Sequence, residues 1–342
     1  MRWAGGQGPG ARAVVFAVAA WCCGCGRYAD FTLPVVSGGD PKMTFVFETR
    51  AEPVLTRGDA WDSRDVLNPS VVRAPGSQPA LLNFYSGFDG QTWRTGVAES
   101  DDGIYWRKQT TVFAPDSRTW EGSYIAANGS AVAFNGQYWY WYQAGPKERP
   151  RIGLARVENG RPPRKEPRPV LDYGPYGSWD ERAVADPYVV RIEPWFYMFY
   201  LGQDRARRQR LGVARSRDGV GWEKLRSNPI LELGEPGAFD ENGLGEPAVW
   251  TSHGFYWMLY TGRDVNENRR LGLARSGDGV HWRKLPAVFA GEQDWDSKVM
   301  CDPTVFVNGS VIGVWFGGGD VASPDENLNG QIGFGVLRPE VR

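Results

Sequence analysis

An aromatic residue followed by an acid recurs five times along this chain, and that repeat constrains the fold more than any other feature. The copies are "WDSRDVLNPSVV" from Trp61, "WEGSYIAANGSAV" from Trp120, "WDERAVADPYVV" from Trp179, "FDENGLGEPAVW" from Phe239 and "WDSKVMCDPTVF" from Trp295, at steps of 59, 59, 60 and 56 residues. Each copy continues into an apolar run of β type, such as "YWYWYQAG" or "FYMFYLG", and then into a short strand such as "LGVARS". Gly, Asn and Asp turns separate these runs, and none has helical periodicity. A unit of this size cannot bury its own faces and must stack on its neighbours. Four short strands per unit, repeated around an axis, make a β-propeller. The expected fold is all-β: a five-bladed β-propeller of four-stranded blades over residues 43–342. The last copy stops after its third strand, "QIGFGVL". Meanwhile "MTFVFETRAEPVL" from Met43 resembles the fourth-strand segments "WEKLRSNPIL" and "WRKLPAVF". The N-terminal strand is therefore expected to complete the last blade and close the ring, leaving no open edge.

Composition narrows the function. The 342 residues carry 39 basic and 40 acidic side chains, so a nucleic-acid groove or a polybasic membrane surface is not expected. The 44 glycines and 46 aromatic residues suit a turn-rich β protein. At the N-terminus, Arg2 and Arg12 precede the apolar run "AVVFAVAAWCCGCG", Ala13 to Gly26, too short for a stable membrane span. Residues 1–26 read as an export signal of lipoprotein type, with Cys25 after Gly24 as the lipidated residue. The expected location is the periplasm or cell envelope, or outside the cell. After its removal Cys301 is the one remaining cysteine, so disulfides do not hold the fold.

A propeller sorts its motifs by face. The start of each inner strand shares a face with the loop after strand two, and the turn between strands three and four lies opposite. The turns "SDDGIYW" from Ser100, "SRDGVGW" from Ser216 and "SGDGVHW" from Ser276 fall in that second class. In them the Asp bonds amides of its own turn, the Gly takes the positive φ, and the Trp packs between blades. On the other face stand Asn68, Asn128, Asp186, Glu246 and Asp302, one at the start of each inner strand and all aimed at the channel mouth. Crowded carboxylates raise one another's pKa values, which suits a general acid. A second polar set follows strand two, in Asp89, Asp204, Arg263 with Asp264, and Asp320, where ordinary turn chemistry competes with function. The recurring Trp61, Trp120, Trp179, Phe239 and Trp295 point to shared packing. Tyr124 has no counterpart in the other copies and is the better candidate to meet a sugar.

From residue 43 to 342 the chain resembles the five-bladed glycoside hydrolases of families 43 and 32 and their relatives in family 130. The resemblance rests on the fivefold repeat, on "ADPYV" from Ala185 and "GEPAV" from Gly245, and on the "YTG...LGLARSGDGVHW" pattern. It implies a carbohydrate substrate and cleavage of O-glycosyl bonds, with Asp186 as the pKa-modulating acid and Glu246 as the general acid. The chain departs from that pattern where a base or nucleophile Asp is expected, because Asn68 stands there and an amide has no basic form near neutral pH. Two substitutes for the base are expected: Asp65, three residues earlier, and Asp302, whose blade neighbours blade one in a closed ring. Asn68, Asn128 and Tyr124 then become substrate-binding residues.

Two rival readings stay open. A phosphorylase of the family-130 kind would need one acid and a phosphate cradle, for which Arg182 and Arg263, beside Asp264, are the available cations. A propeller that lost its base would bind glycans without cleaving them. The central histidine of family 43 has no counterpart, since His253 and His281 fall in turns, so neither metal nor cofactor is expected. The protein is expected to act as a monomer.

Overall fold

The structure, a computed structural model, describes residues 27–74, 80–158 and 162–341. The apolar N-terminal run with Cys22, Cys23 and Cys25 lies outside the described residues, and so do the expected export signal and lipid anchor. Among the described residues the regular structure is strand, apart from one 3-10 turn at Asp294–Asp296.

Two strands precede the first repeat, β1 (Arg27–Ala29) and β2 (Met43–Thr49). The first unit holds β3 (Asp65–Arg73), β4 (Leu81–Phe88), β5 (Trp93–Ser100) and β6 (Arg107–Phe113). The second holds β7 (Ile125–Phe134), β8 (Gln137–Gly145), β9 (Arg151–Val157) and the short β10 (Arg164–Lys165). The third holds β11 (Ala183–Ile192), β12 (Trp195–Gln203), β13 (Gln209–Ser216) and β14 (Glu223–Leu225). The fourth holds β15 (Gly243–Ser252), β16 (Phe255–Arg263), β17 (Arg269–Ser276) and β18 (Arg283–Phe289). The fifth holds β19 (Val299–Asn308), β20 (Val311–Gly319) and β21 (Gln331–Val341).

Within each unit consecutive strands pair antiparallel, and β2 pairs antiparallel with β21, setting Phe45 opposite Pro339. The inner strands β3, β7, β11, β15 and β19 neighbour one another in chain order, and β19 also lies against β3.

Cohesion comes from packing between units. Trp141, Ile152 and Leu154 of the second unit meet Val189, Phe196 and Met198 of the third. Val71, Leu81 and Tyr85 of the first meet Trp315 and Ile332 of the fifth. Second strands are covered on both faces, which is why "FYMFYLG" carries apolar residues without alternation. Residues ahead of β2 also pack. Leu33 joins the core between units three and four, and its N–H donates to the Asp278 carbonyl at 2.8 Å. Packing therefore begins before the expected start at residue 43.

The aromatic–acid repeat has a mechanical role. The Trp179 ring lies flat on strands β12 and β13, where a Cβ on Gly202 or Gly212 would come within 2.2 or 2.4 Å of it. The acid beside it, Asp180, is fully buried. It accepts from the Tyr200 hydroxyl at 3.1 Å and the Lys224 ammonium at 2.5 Å, tying the lead-in loop to strands two and four. The same stitch recurs with Asp62, Tyr85 and Lys108, with Glu121, Tyr142 and Lys165, and with Asp240, Tyr260 and Lys284. It explains the lysine of "WRK" and "WEK". The fifth unit lacks it: Phe316 replaces the tyrosine, and one oxygen of Asp296 has no partner.

The Asp-Gly-x-x-Trp turns are structural, as their sequence suggests. Asp218 accepts from the N–H groups of Val220 and Gly221, and the Trp222 indole donates to the Gly219 carbonyl. Trp222 also meets Trp141 of the preceding unit edge to face.

Breaking a buried ion pair from one side leaves the other charge unpaired, at a cost of about 3–5 kcal/mol. Lys224→Met is therefore expected to lower the urea midpoint sharply. Asp296→Asn, in the unit without the lysine, should cost a small fraction of that. Equal losses from the two variants would contradict this account of the stitch.

Candidate active site

Each inner strand carries a bulge at the same place, and the bulge aims its residue at the axis. Register slips between Leu67 and Ser70, Ala127 and Ser130, Ala185 and Tyr188, Gly245 and Ala248, and Cys301 and Thr304. At each slip stands a residue of left-handed backbone: Asn68, Asn128, Asp186, Glu246 and Asp302, with φ between 44° and 50°. Such a conformation is uncommon outside glycine and is costliest for Glu246, whose side chain cannot bond its own turn as Asn or Asp can. Strain repeated at five equivalent positions marks a place the fold holds deliberately.

The five side chains form a septum. Above it lies a cavity of about 400 Å³, and below it a space of about 30 Å³ lined by the same five residues and those that follow them. The starts of third strands add Trp93, Gln209 and Arg269 to the cavity wall, and the ends of second strands add Gln203 and Arg263. Pro324 and Asp325 reach it from the loop between β20 and β21. That loop is pinned on three sides. Arg269 donates to the carbonyls of Ser323 and Pro324 at 3.1 and 2.8 Å, and Lys147 pairs with Glu326 at 2.7 Å. Asp65 holds it from beneath.

The electrostatics are those of three crowded carboxylates with Arg269 among them and Arg263 on the wall beside Glu246. Burial, then the neighbouring Glu246 and Asp302, push the Asp186 pKa well above the usual carboxylate range. Burial and Glu246 push Asp302 up to about 7, against the opposing pull of the Cys301 thiol, Arg269 and the Asn68 N–H. The thiol lies 3.1 Å and the N–H 3.3 Å from Asp302 Oδ2. Burial pulls the Arg269 pKa down, but the Cys301 thiol, Glu246 and Asp302 beside it hold it above the ordinary value. Asn128 donates to Asp186 at 3.4 Å, while Asn128 Oδ1 and Glu246 Oε2 are buried without a partner. Two orphaned acceptors at a cavity floor call for donors from a guest, as sugar hydroxyls are.

The structure brings together Asn68, Asn128, Asp186, Glu246, Asp302, Tyr124 and Arg263, and it removes three of the expected site residues. Asp65 does not line the cavity: its carboxylate accepts from the N–H groups of Asn327, Leu328 and Gly330 at 2.7, 2.9 and 2.8 Å, so it anchors the loop and is no free base. Asp264 caps its own turn through Asn266 and Asn268. Arg182 sits outside the cavity, paired to Glu148 at 2.6 Å. Arg263 does line the wall, yet its Nη atoms donate to the Pro324 carbonyl and to Gln209, which leaves little for a phosphate cradle. Tyr124 faces the cavity with its hydroxyl donating to Glu326 at 3.0 Å. Of the rest of the second polar set, Asp89 and Asp204 pair with Arg94 and Arg210 and bond their own turns.

Sequence reasoning missed Arg269 and the loop at 321–330. A signal for Arg269 existed: the equivalent positions in the five units are Trp93, Pro150, Gln209, Arg269 and Gly330, an unrelated set inside an otherwise regular repeat.

Known proteins match this architecture. The chain is 28% identical over 227 residues to the uncharacterized protein MT1551 of Mycobacterium tuberculosis (strain CDC 1551 / Oshkosh), covering 62% of this chain and 75% of that one. Its fold is similar to that of a solved glycoside hydrolase, with TM-score 0.70 and 18% identity, over 86% of this chain and 94% of that one. It is also similar to Zg3597, a family 117 glycoside hydrolase from Zobellia galactanivorans, with TM-score 0.66 and 15% identity over 87% and 92% of the two chains. At these identities the two structures speak for the fold alone. Residues 83–310, well over half of the chain, match the glycosyl hydrolases family 32 N-terminal domain, and the chain belongs to that family of propeller-type domains.

Proposed function

We propose that this chain is an exported glycoside hydrolase, a five-bladed β-propeller that cleaves O-glycosyl bonds of oligo- or polysaccharides in its axial cavity. The pairing of β2 with β21 and the contact of β19 with β3 support a ring closed by the N-terminal strand. The apolar run ahead of residue 27 supports export, with Cys25 as the lipid anchor.

One observation carries the chemistry: three carboxylates of adjacent units converge in one cavity around the buried Arg269. Charges that crowded do not all ionise at neutral pH, so the cluster keeps a proton. That proton belongs to the cluster and not to one group, and Glu246, whose Oε2 has no partner, is the acid placed to pass it to the leaving glycosidic oxygen. Asp302 takes the basic role closed to Asn68. Its pKa of about 7 lies near a neutral working pH, where a general base is most effective. It removes the proton of a water that attacks the anomeric carbon as the glycosidic C–O bond breaks. Asp186, its own pKa raised by burial and by Glu246 and Asp302, shares the charge of the cluster, and Asn68 and Asn128 hold sugar hydroxyls.

Hydrolysis of aryl glycosides and of plant and microbial oligosaccharides tests the assignment. Glu246→Gln and Asp302→Asn are each expected to lower kcat by about a hundredfold or more. Full activity in Glu246→Gln would remove it from the acid role. Retention of several glycans without cleavage of any would make the protein a binding module.

The ring also sets a pH dependence that needs no substrate. Asp302 binds its proton more tightly in the fold, at about 7, than in the unfolded chain, near the ordinary carboxylate value of about 4. Its contribution is thus fully present below that lower value and is lost as pH rises through 7. Denaturation midpoints of the wild type should fall between about pH 4 and 7 relative to Asp302→Asn. Parallel curves would refute the raised pKa.

A further inference from the structure

A second depression lies beside the axial cavity, between units two and three. It measures about 390 Å³ and is lined by Arg149, Tyr173, Tyr176, Arg182 and Arg205, with Glu181 as its acid. Three arginines against one glutamate make it basic, although the chain as a whole is close to neutral. Two tyrosines form its faces. Arg205 lies over the Tyr176 ring at 4.1 Å and Arg149 over the Tyr173 ring at 4.6 Å. Tyr176 is 82% exposed, a poor place for an aromatic ring unless something covers it. Arg182 marks the border with the cavity. It pairs with Glu148, which lines the cavity and is shared with Arg207 at 3.5 Å, and its Nε is buried without a partner.

The repeat shows that the scaffold does not ask for these side chains. Unit four builds the same loop with the same bonds. Gly234 donates to the Asp240 carbonyl as Gly174 does to Asp180, and Gly237 donates to the Glu241 carboxylate as Gly177 does to Glu181. Yet at the four corresponding positions unit four carries Leu233, Pro236, Asn242 and Val265 in place of Tyr173, Tyr176, Arg182 and Arg205. Backbone, turn and capping acid are retained between these two units, while the aromatic and cationic groups are present in unit three and absent from unit four. Their reason lies outside the fold.

The geometry points to this depression as a second glycan subsite, taking an anionic sugar unit of the same polysaccharide whose neighbouring units enter the axial cavity. The tyrosine faces suit the apolar C–H face of a pyranose ring. The planar guanidinium forks suit a carboxylate or sulfate, bound through two parallel N–H donors. The pair between Arg205 and Glu181 is exposed on the arginine side, so it exchanges readily for a ligand anion. The subsite rests on the reading of the cavity as a sugar site and adds to it a class of substrate: acidic glycans.

Calorimetric titration of the full chain tests it with three hexasaccharide probes, an oligogalacturonate, a sulfated galactan fragment and neutral mannohexaose. The anionic probes are expected to bind more tightly than mannohexaose, and Tyr176→Ala and Arg205→Gln should each weaken them roughly fivefold. Both side chains are exposed, so unchanged thermal midpoints will confirm intact folds. Preference between the first two probes tells carboxylate from sulfate. Equal affinity for the neutral probe, no binding of either anionic probe, or anionic binding untouched by both variants would each overturn the subsite. Glycoside cleavage that depends on Glu246, together with anionic binding untouched by both variants, would leave the cavity reading standing and the subsite refuted. Anionic binding lost in both variants, with no glycan cleaved, would do the reverse.

Discussion

A β-strand sends successive side chains to opposite faces, and the inner strands of this protein break that rule once each, at one shared position. The break is the left-handed residue of the bulge, and the arrangement of the site follows from it. Without the slip, the residues at 68, 128, 186, 246 and 302 would continue the alternation along walls packed against neighbouring units, where an unpaired carboxylate is expensive. With it, they turn toward the axis. The residues just past the slip then stitch one unit to the next, as Ser70 accepts from the Ala131 N–H and Ser130 from the Val189 N–H. The device that opens the site also ties neighbouring units together around it.

The polar ring is uneven. Units one and two contribute amides, and units three, four and five contribute acids. Five crowded carboxylates would hold far more charge than one arginine can balance. Asn68 and Asn128 relieve that repulsion and leave hydrogen-bonding capacity in its place. Arg269 stands on the acidic side, where Cys301, Glu246 and Asp302 raise its pKa above the ordinary value. Its spare donors go to the loop at 321–330, so charge balance in the ring and closure over the cavity depend on one side chain. Asp65, three residues ahead of Asn68, grips the same loop from the other end. The acid of the first unit has thus become a support for the cavity's cover.

Much of the fold was legible because the repeat is carried by residues whose packing is local. Trp179 needs Gly202 and Gly212, Asp180 needs Tyr200 and Lys224, and each partner sits at a fixed offset that recurs. The left-handed ring was legible for the same reason, as one polar residue before Pro or Gly in every copy. What stayed hidden were contacts between distant segments. Nothing near Asp65 in sequence announces the amides of Asn327, Leu328 and Gly330, which arrive from the far end of the chain. Arg182 has the right chemistry for the cavity, but the strand start puts it one residue outside the mouth. Asp264 looks like a site residue only until its turn closes on it.

A chain that repeats one unit five times carries its own control experiment. Where units agree, as all five do in the aromatic that covers a glycine and three do in the serine and glycine of the Asp-Gly-x-x-Trp turns, the residue serves the unit. Where the backbone agrees and the side chains do not, the scaffold has released the position. Arg269 stands at such a place, against Trp93, Pro150, Gln209 and Gly330. Tyr176 and Arg205 do as well, against Pro236 and Val265. These positions are contiguous over the axial cavity and the depression beside it, and none lies on the opposite face, where the Asp-Gly-x-x-Trp turns repeat in three units. Divergence that gathers cations and rings around a cavity on a repeated scaffold is what binding a ligand there would leave behind.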